Sequence, residues 1–296
     1  MILGAIEGGG TKMVCAITDE KGNILEKMSV PTLSPEETIP PMLEFFKGKN
    51  IECLGIACFG PIDLNEESKT YGYITTTPKT RWMNFDFVGA FRELNVPIGF
   101  DTDVNGSVIG EATFGKYKGF KDGIYITIGT GIGIGVISGG NLVHGMLHPE
   151  GGHMLLVTHP EDPMPKGICP FHPNCFEGYA SGPSIKARWG KNGAEIEDDA
   201  FAWELESYYV AQAIVNMLMI LSPEIVILGG GVSHKKDVLL PLIHKNFKKL
   251  LNGYIKTEKT ENPEKFIVAQ SMDDNQGILG AAIIGLNAYN QKMVRW

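Results

Sequence analysis

Apolar runs and glycines alternate in the first part of the chain. Runs Ile2 to Ile6 and Met13 to Thr18 flank a loop containing Gly8, Gly9 and Gly10, and a turn leads to a third run from Ile24. Short apolar runs bounded by glycine-rich turns are typical of strands. The pattern predicts a strand, a glycine loop, a second strand, a turn and a third strand.

The same pattern returns later in the chain. Residues 123–128 are apolar and β-branched, Gly129-Thr130-Gly131 follows, and residues 132–137 are apolar again. The turn sequences Gly22-Asn23-Ile24-Leu25 and Gly140-Asn141-Leu142-Val143 stand at the same place in the two patterns. Self-similarity of this kind predicts two related halves, each opening with a glycine-bent hairpin.

Further helices and strands follow from hydrophobic spacing. Predicted strands cover residues 51–59, 97–102 and 225–228, and predicted helices cover residues 35–47, 104–114, 198–221 and 276–290. Strands alternating with helices predict an α/β fold in two lobes. We expect residues 1–118 to form an N-terminal lobe, completed by the C-terminal helix 276–296, and residues 119–275 to form a C-terminal lobe.

Composition and charge exclude several classes of partner. The 296 residues are 43% hydrophobic and 20% charged, with a formal net charge of −8 and no lysine or arginine block. This argues against a nucleic-acid partner and against an anionic membrane surface. The apolar run around 213–221 is too short to span a bilayer, and no signal peptide is expected at the first residues. Cys15, Cys53 and Cys58 lie in apolar runs and are expected to be buried, which favours a reduced, cytoplasmic protein.

Three glycine loops follow predicted strands. They are Gly8 to Lys12, Gly129 to Gly131 and Gly229 to Ser233. Glycines let backbone N–H groups approach phosphate oxygens, although a tight hairpin explains any single loop equally well. The patterns of the dinucleotide-binding turn and the P-loop are both missing from the sequence. Three loops together favour a phosphate site of another kind.

A carboxylate stands at the end of a predicted strand. Asp103 follows strand 97–102 and begins a predicted helix, so it lies where ligand-facing groups gather. An Asp before a helix is also a frequent N-cap, and Asp101 competes for the same role. Spacing alone leaves these alternatives open.

An ordered set of motifs resembles the ROK family of sugar kinases, within the actin/hexokinase-like ATPase fold. The set is the Gly-Gly-Thr-Lys loop, FGPID at 59–63, DVN at 103–105, IGTGIGIG at 128–135, HPEGGH at 148–153, a cysteine cluster, ASG followed by Pro183, and the third glycine loop. The stretch TTTPKTRW at 75–82 most resembles the bacterial fructokinase branch.

The resemblance implies an ATP-dependent hexose kinase that uses Mg²⁺ with ATP, forms a sugar 6-phosphate, most favourably from fructose, and acts as a homodimer. Asp103 is then the general base, and Asn105, Glu150, His153 and Glu177 bind the sugar. The implied ATP-binding residues are Gly9, Gly10, Thr11, Lys12, Gly129, Thr130, Gly131, Pro183, Gly229, Gly230, Gly231, Val232 and Ser233. A glucokinase, a mannokinase or an N-acetylhexosamine kinase of the same family is the alternative. A sugar-sensing repressor and an actin-like structural ATPase are functions of a different class.

Cys169, His172 and Cys175 recur at three-residue intervals. A structural zinc ion is held by four ligands in a tetrahedron, and His153 is the natural fourth. Chance proximity of two thiols and a histidine is the alternative. The segment runs from Glu150 to Glu177, so we expect the zinc to serve the sugar site rather than the nucleotide loops.

The sequence departs from the family pattern at two positions. The first glycine loop usually follows an Asp, whereas this chain has Glu7, and the longer side chain leaves open whether this carboxylate contacts the magnesium-water shell. The metal cluster of many relatives has three cysteines, and His172 replaces one of them here.

Overall fold

The structure, a computed structural model, describes residues 1–77, 79–198 and 200–294, and among these the side chains of all but 232, 233 and 292–294. The described chain forms two compact units. The first unit contains Met1–Gly119, Leu142–His148 and the segment from Ser271 onward, and the second contains Phe120–Asn141 and Pro149–Gln270.

The first unit is built on a five-stranded sheet. Its elements are β1 (Ile2–Gly8), β2 (Lys12–Asp19), β3 (Ile24–Pro31), α1 (Pro35–Phe46), β4 (Cys53–Cys58), β5 (Tyr73–Ile74), β6 (Phe85–Asp86), β7 (Ile98–Thr102) and α2 (Asp103–Phe114). The strand order is β3-β2-β1-β4-β7, with β5 and β6 paired apart from it. β1 is antiparallel to β2 and parallel to β4, so the glycine hairpin opens a partly parallel sheet.

The second unit repeats this plan. Its strands are β8 (Gly123–Ile128), β9 (Ile132–Ser138), β10 (Asn141–Leu142), β11 (Ile225–Gly229) and β12 (Ile267–Ala269), in the order β10-β9-β8-β11-β12. Its helices are α3 (Phe176–Ala180), α4 (Gly182–Trp189), α5 (Phe201–Leu221), α6 (Lys236–Leu251) and α7 (Glu258–Glu261), while α8 (Gln276–Val294) packs in the first unit. Each sheet begins in the chain with an antiparallel hairpin and continues with parallel strands. This arrangement confirms the predicted duplication of a hairpin-led sheet.

Glycines bring α8 against the first sheet and against α2. A Cβ on Gly55 of β4 would lie 1.7 Å from the carbonyl oxygen of Ala281, and one on Gly280 would lie 1.7 Å from that of Gly106. No side chain fits at either contact, because real Cβ atoms do not approach so closely. The close approach fixes α2, and with it Asp103 at the first position of that helix.

Burial agrees with the sequence pattern for the isolated cysteines. Cys15, Cys53 and Cys58 are each fully buried in strands of the first sheet. Among the described residues, no helix combines the length and apolar character that crossing a bilayer requires.

Candidate active site

The first glycine loop connects β1 to β2 and leaves two backbone donors unused. Gly9 N–H donates to the Lys12 carbonyl at 3.0 Å, and Thr32 holds the loop through its hydroxyl to Gly9 O (2.7 Å) and its N–H to Thr11 O (2.9 Å). Within the described ranges, the N–H groups of Gly10 and Thr11 have no acceptor. Adjacent free N–H groups suit phosphate oxygens.

The second loop, between β8 and β9, has the same design. Gly129 N–H donates to Gly131 O at 2.9 Å, and no described residue accepts from the N–H groups of Thr130 and Gly131. Gly182 at the start of α4 donates to Gly129 O at 2.8 Å, and Pro183 occupies the next position of that helix. The loop is therefore held from the helix that follows the cysteine cluster.

The third loop follows β11 and turns through Gly230, whose φ of +82° favours glycine. A Cβ on Gly229 would lie 1.9 Å from the Tyr125 hydroxyl, whereas one on Gly231 would meet no described atom within 4 Å. The apolar cavity beneath the loop, of about 20 Å³, has room for about one water. Because no described atom outside the neighbouring residues lies near the Cβ position of Gly231, a ligand can approach the backbone there. The side chains of Val232 and Ser233, predicted nucleotide contacts, lie outside the described residues.

Asp103 is not the N-cap of α2. Thr102 fills that role, because its hydroxyl accepts from Asn105 N–H at 3.1 Å. The Asp103 carboxylate accepts from Val104 N–H at 2.9 Å, which opposes part of the effect of burial. Burial raises the pKa of Asp103 to about 6. The group is thus ionised at neutral pH and ready to accept a proton.

Glu7, at the end of β1, is electrostatically linked to Asp103. Burial first, and then the Asp103 charge, raise the pKa of Glu7 to about 7, while Lys27 and Lys12 oppose the rise. A Cβ on Gly277 would lie 2.4 Å from Oε1 of Glu7, so a glycine there leaves room for the longer acid.

Asp101 and His144 orient the side chain of Asn105. Asp101 Oδ1 accepts from Asn105 Nδ2 at 2.7 Å, and Oδ2 accepts from His144 Nε2 at 2.9 Å. A carboxylate only accepts hydrogen bonds, so the NH₂ of Asn105 faces Asp101. The Oδ1 atom of Asn105, fully buried, has no hydrogen-bond partner among the described residues. Asn105 is thereby fixed as an acceptor.

Sequence reasoning missed His144 and weighed Asp101 only as a rival base. The hydrogen bond to Asp101 raises the pKa of His144, which favours the charged imidazole. His144 comes from a loop far along the chain, and no spacing rule connects it to β7. A polar residue two places before Asp103, on a strand that is otherwise apolar, was the available signal for Asp101.

Glu150, His153 and Glu177 lie in the second unit. Glu150 is exposed and precedes a short helical turn, Gly151–His153. Glu177 Oε2 accepts from Ile132 N–H at 2.8 Å, and its Oε1 lies 4.0 Å from His153 Nε2. His153 and Glu177 therefore lie side by side, whereas Asp103 and Asn105 belong to the first unit.

His153, Cys169, His172 and Cys175 converge as the sequence predicts. Their four ligand atoms lie within 4.8 Å of one another. Cys169 Sγ is 3.8 Å from Nδ1 of both histidines, and Cys175 Sγ is 3.7 Å from His153 Nδ1. Tetrahedral zinc places sulfur and nitrogen ligands about 3.6 Å apart, given bonds of about 2.3 and 2.0–2.1 Å.

The chemistry of these four residues also fits a zinc ion. Burial raises the pKa of Cys175 to about 11, so the thiol ionises at neutral pH only beside a cation. The Nδ1 atom of His153 faces the sulfurs and its Nε2 faces Glu177. The imidazole can therefore serve a metal on one side and a ligand on the other.

Relatives of known name cover nearly the whole chain. It is 46% identical over 283 residues to a fructokinase from Lactococcus lactis subsp. cremoris, covering 95% of this chain and 94% of the relative. A fructokinase from Pediococcus pentosaceus is 41% identical, with 96% and 97% covered.

A solved structure shows the same fold. It is a ROK family glucokinase from Streptomyces griseus in complex with glucose and AMPPNP, with a TM-score of 0.76, 23% identity, and 97% of this chain and 100% of the other covered. The predicted α/β, actin/hexokinase-like fold is thereby confirmed. The model of the ROK family matches residues 3–288. This chain belongs to the ROK family.

Proposed function

We propose that the protein is an ATP-dependent fructokinase, which transfers the γ-phosphoryl group of ATP to the 6-hydroxyl of D-fructose. The observation that carries the proposal is the 46% identity to a fructokinase along nearly the full length of both chains. A glucokinase from Streptomyces coelicolor is 26% identical over 320 residues, so the relatives favour fructose over glucose.

Asp103 is the general base of the proposed reaction. As the fructose 6-hydroxyl oxygen bonds to the γ-phosphorus, the bond from that phosphorus to the β,γ-bridging oxygen breaks and ADP leaves. The hydroxyl proton passes to the Asp103 carboxylate. A base with a pKa of about 6 is mostly ionised at pH 7 and still binds a proton well enough to share it in the transition state.

Asn105, Glu150, His153 and Glu177 bind the sugar in this proposal. Asp101 accepts from the NH₂ group of Asn105 and so orients the amide, which leaves the Asn105 Oδ1 atom to accept from a hydroxyl of the sugar. Fixed polar partners of this kind reject analogues that lack the matching group. They also hold the reacting hydroxyl in place, which lowers the entropic cost of transfer.

The nucleotide binds through the three glycine loops. The free N–H groups of Gly10, Thr11, Thr130 and Gly131 donate hydrogen bonds to phosphate oxygens, and Gly231 gives space for the base. Gly182, which precedes Pro183 in α4, holds the second loop through its N–H. Pro183 lies beside the nucleotide, and Lys12 and the hydroxyls of Thr11 and Thr130 add polar contacts. Mg²⁺ enters with ATP and neutralises phosphate charge.

His153, Cys169, His172 and Cys175 would hold one Zn²⁺. When bound, the ion supplies structure rather than a reactive water, because four protein ligands complete its shell. Its role is to fix the segment that carries His153 and Glu177.

A coupled assay of ADP release across fructose, glucose, mannose and the N-acetylated hexoses tests the proposal. We expect the highest kcat/KM with fructose. A higher kcat/KM for another hexose would assign the enzyme to that sugar, and no turnover with any hexose would refute the proposed kinase activity.

A gel-shift assay with DNA tests the repressor alternative, and light scattering tests the expected homodimer.

A further inference from the structure

Lys79 carries a charge that the proposed mechanism does not use. It lies in the stretch 75–82 and is half-buried, and among the described residues no carboxylate oxygen lies within 4.0 Å of its Nζ. Its nearest recorded side-chain partner is the ring of Phe59, with 5.9 Å from Nζ to the ring centroid. A half-buried ammonium with no carboxylate beside it can pair with an anionic ligand.

This ammonium stands beside the first glycine loop. A Cβ built on Gly10 would lie 3.1 Å from Cε and 3.7 Å from Nζ of Lys79. Gly10 and Thr11 each carry an N–H group that has no acceptor among the described residues. Two neutral donors and one cation therefore converge on one small volume, where they favour an anion.

The lysine and the loop share an anchor. Trp82 N–H donates to Lys79 O at 2.8 Å, and the buried indole Nε1 of Trp82 donates to Leu33 O at 2.7 Å. The preceding residue, Thr32, holds Gly9 and Thr11 of the loop. The backbone of Lys79 is thus held relative to the loop before any ligand binds, which keeps its side chain within reach of the loop.

We propose that Lys79 is a further catalytic residue, whose ammonium contacts the oxygens of the phosphoryl group under transfer. The inference rests on the proposed kinase function. Lys79 stays protonated throughout and exchanges no proton, while Asp103 takes the proton of the sugar hydroxyl. The ammonium neutralises the charge on the three phosphoryl oxygens as the bond to the β,γ-bridging oxygen breaks.

Lys79→Met keeps an unbranched chain against Phe59 and removes the charge. We expect kcat with fructose and ATP to fall about 10²–10³-fold. Lys79→Arg keeps the charge and should recover part of that loss. Lys116→Met is the matched control, since its ammonium also lies over a ring, 5.3 Å from the centroid of Tyr117. Loss of kcat below threefold in Lys79→Met, or an equal loss in Lys116→Met, would overturn the proposal.

Calorimetric binding separates this role from the overall function. Wild type should bind the β,γ-imido analogue of ATP more tightly than ADP, and Lys79→Met should lose that preference while its ADP affinity stays within about twofold. Equal weakening of both nucleotides would contradict a contact to the terminal phosphoryl group. If wild type phosphorylates no hexose, the fructokinase proposal fails, and the binding difference still decides whether Lys79 contacts that phosphoryl group.

Discussion

The carboxylate of Glu177 accepts a hydrogen bond of 2.8 Å from the backbone N–H of Ile132, the residue directly after the second glycine loop. A Cβ on Gly131 would lie 2.7 Å from the same carboxylate oxygen, so a larger residue there would displace the Glu177 carboxylate. Glu177 is two residues beyond Cys175. The segment that carries the cysteine cluster therefore contacts the second glycine loop, so we expect a metal bound there to affect that loop as well as the residues proposed to bind the sugar.

Loss of the metal should weaken the binding of both substrates, fructose and ATP. We expect Cys175→Ser to bind less than one zinc per chain and to raise the KM for fructose and the KM for ATP, each by about tenfold or more, because Glu177 and Gly182 hold the second loop from the same segment. Metal analysis and steady-state kinetics measure these changes.

Cys53→Ala is the control for this prediction, since Cys53 is a buried thiol of β4 outside the cluster. It should keep one zinc per chain and near wild-type KM values. A Cys175→Ser variant that keeps full zinc would remove that thiol from the ligand set. If the KM for fructose rises while the KM for ATP stays unchanged, the contact between Glu177 and Ile132 does not transmit the loss of zinc to the second glycine loop.

Asp103→Asn should abolish most turnover and leave fructose binding nearly intact. The amide keeps the shape of the side chain and cannot take the hydroxyl proton, so we expect kcat to fall about 10²–10⁴-fold. Calorimetry should give a fructose Kd within about threefold of wild type. A variant that retains more than about a tenth of the wild-type kcat would exclude Asp103 as the base.

The same variant should be more stable than wild type at pH 8. The folded-state pKa of about 6 lies above the ordinary 3.8, so the native state binds protons more tightly than the unfolded chain. Stability that this group contributes is full below pH 3.8 and is lost as pH rises through 6. Removing the charge should recover about 1–2 kcal/mol at pH 8, and little at pH 4. Denaturant unfolding at the two pH values measures the difference.

The sequence predicts much of this architecture because the pattern is local. The hairpins around both glycine loops, α5 and the C-terminal helix follow from periodicity within single windows. It did not predict α6, although Leu239, Ile243, Phe247 and Leu251 recur at four-residue spacing and are all buried. Pro241, inside the second turn of that helix, obscured the signal, since proline usually ends a helical pattern.

Contacts between distant segments account for what the sequence could not show. Lys79 lies beside Gly10 because Trp82 donates a hydrogen bond to the Leu33 carbonyl. No rule of sequence spacing relates those positions. The convergence of the Cys/His cluster was predictable, because Cys169, His172 and Cys175 recur within one short stretch.

The pH dependence of kcat/KM should follow Asp103 on the acid side. Glu7, with a pKa of about 7, protonates before Asp103 as pH falls, so Asp103 titrates beside a neutral Glu7. We expect activity to be full above pH 7 and to fall tenfold per unit well below an apparent pKa of about 6. Glu7→Gln should leave that apparent pKa unchanged. A shift of one unit or more in that variant would show that the two carboxylates share the titration.

Asp101→Asn should raise the KM for fructose about tenfold and leave the KM for ATP within about twofold. The carboxylate accepts from Asn105 on one oxygen and from His144 on the other, and an amide can replace only one of these acceptors. The side chain of Asn105 then loses its fixed orientation, and the acceptor offered to the sugar hydroxyl is lost in part. A tenfold change corresponds to about 1.4 kcal/mol, within the cost of one unmatched hydrogen bond.

Asp122→Asn is the matched control, since its carboxylate likewise accepts two bonds, from Ser138 and Gly139, in a turn of the second unit. Unchanged fructose KM in Asp101→Asn would show that Asn105 keeps its orientation without Asp101, and a fall in kcat alone would place Asp101 with the chemistry of Asp103 instead.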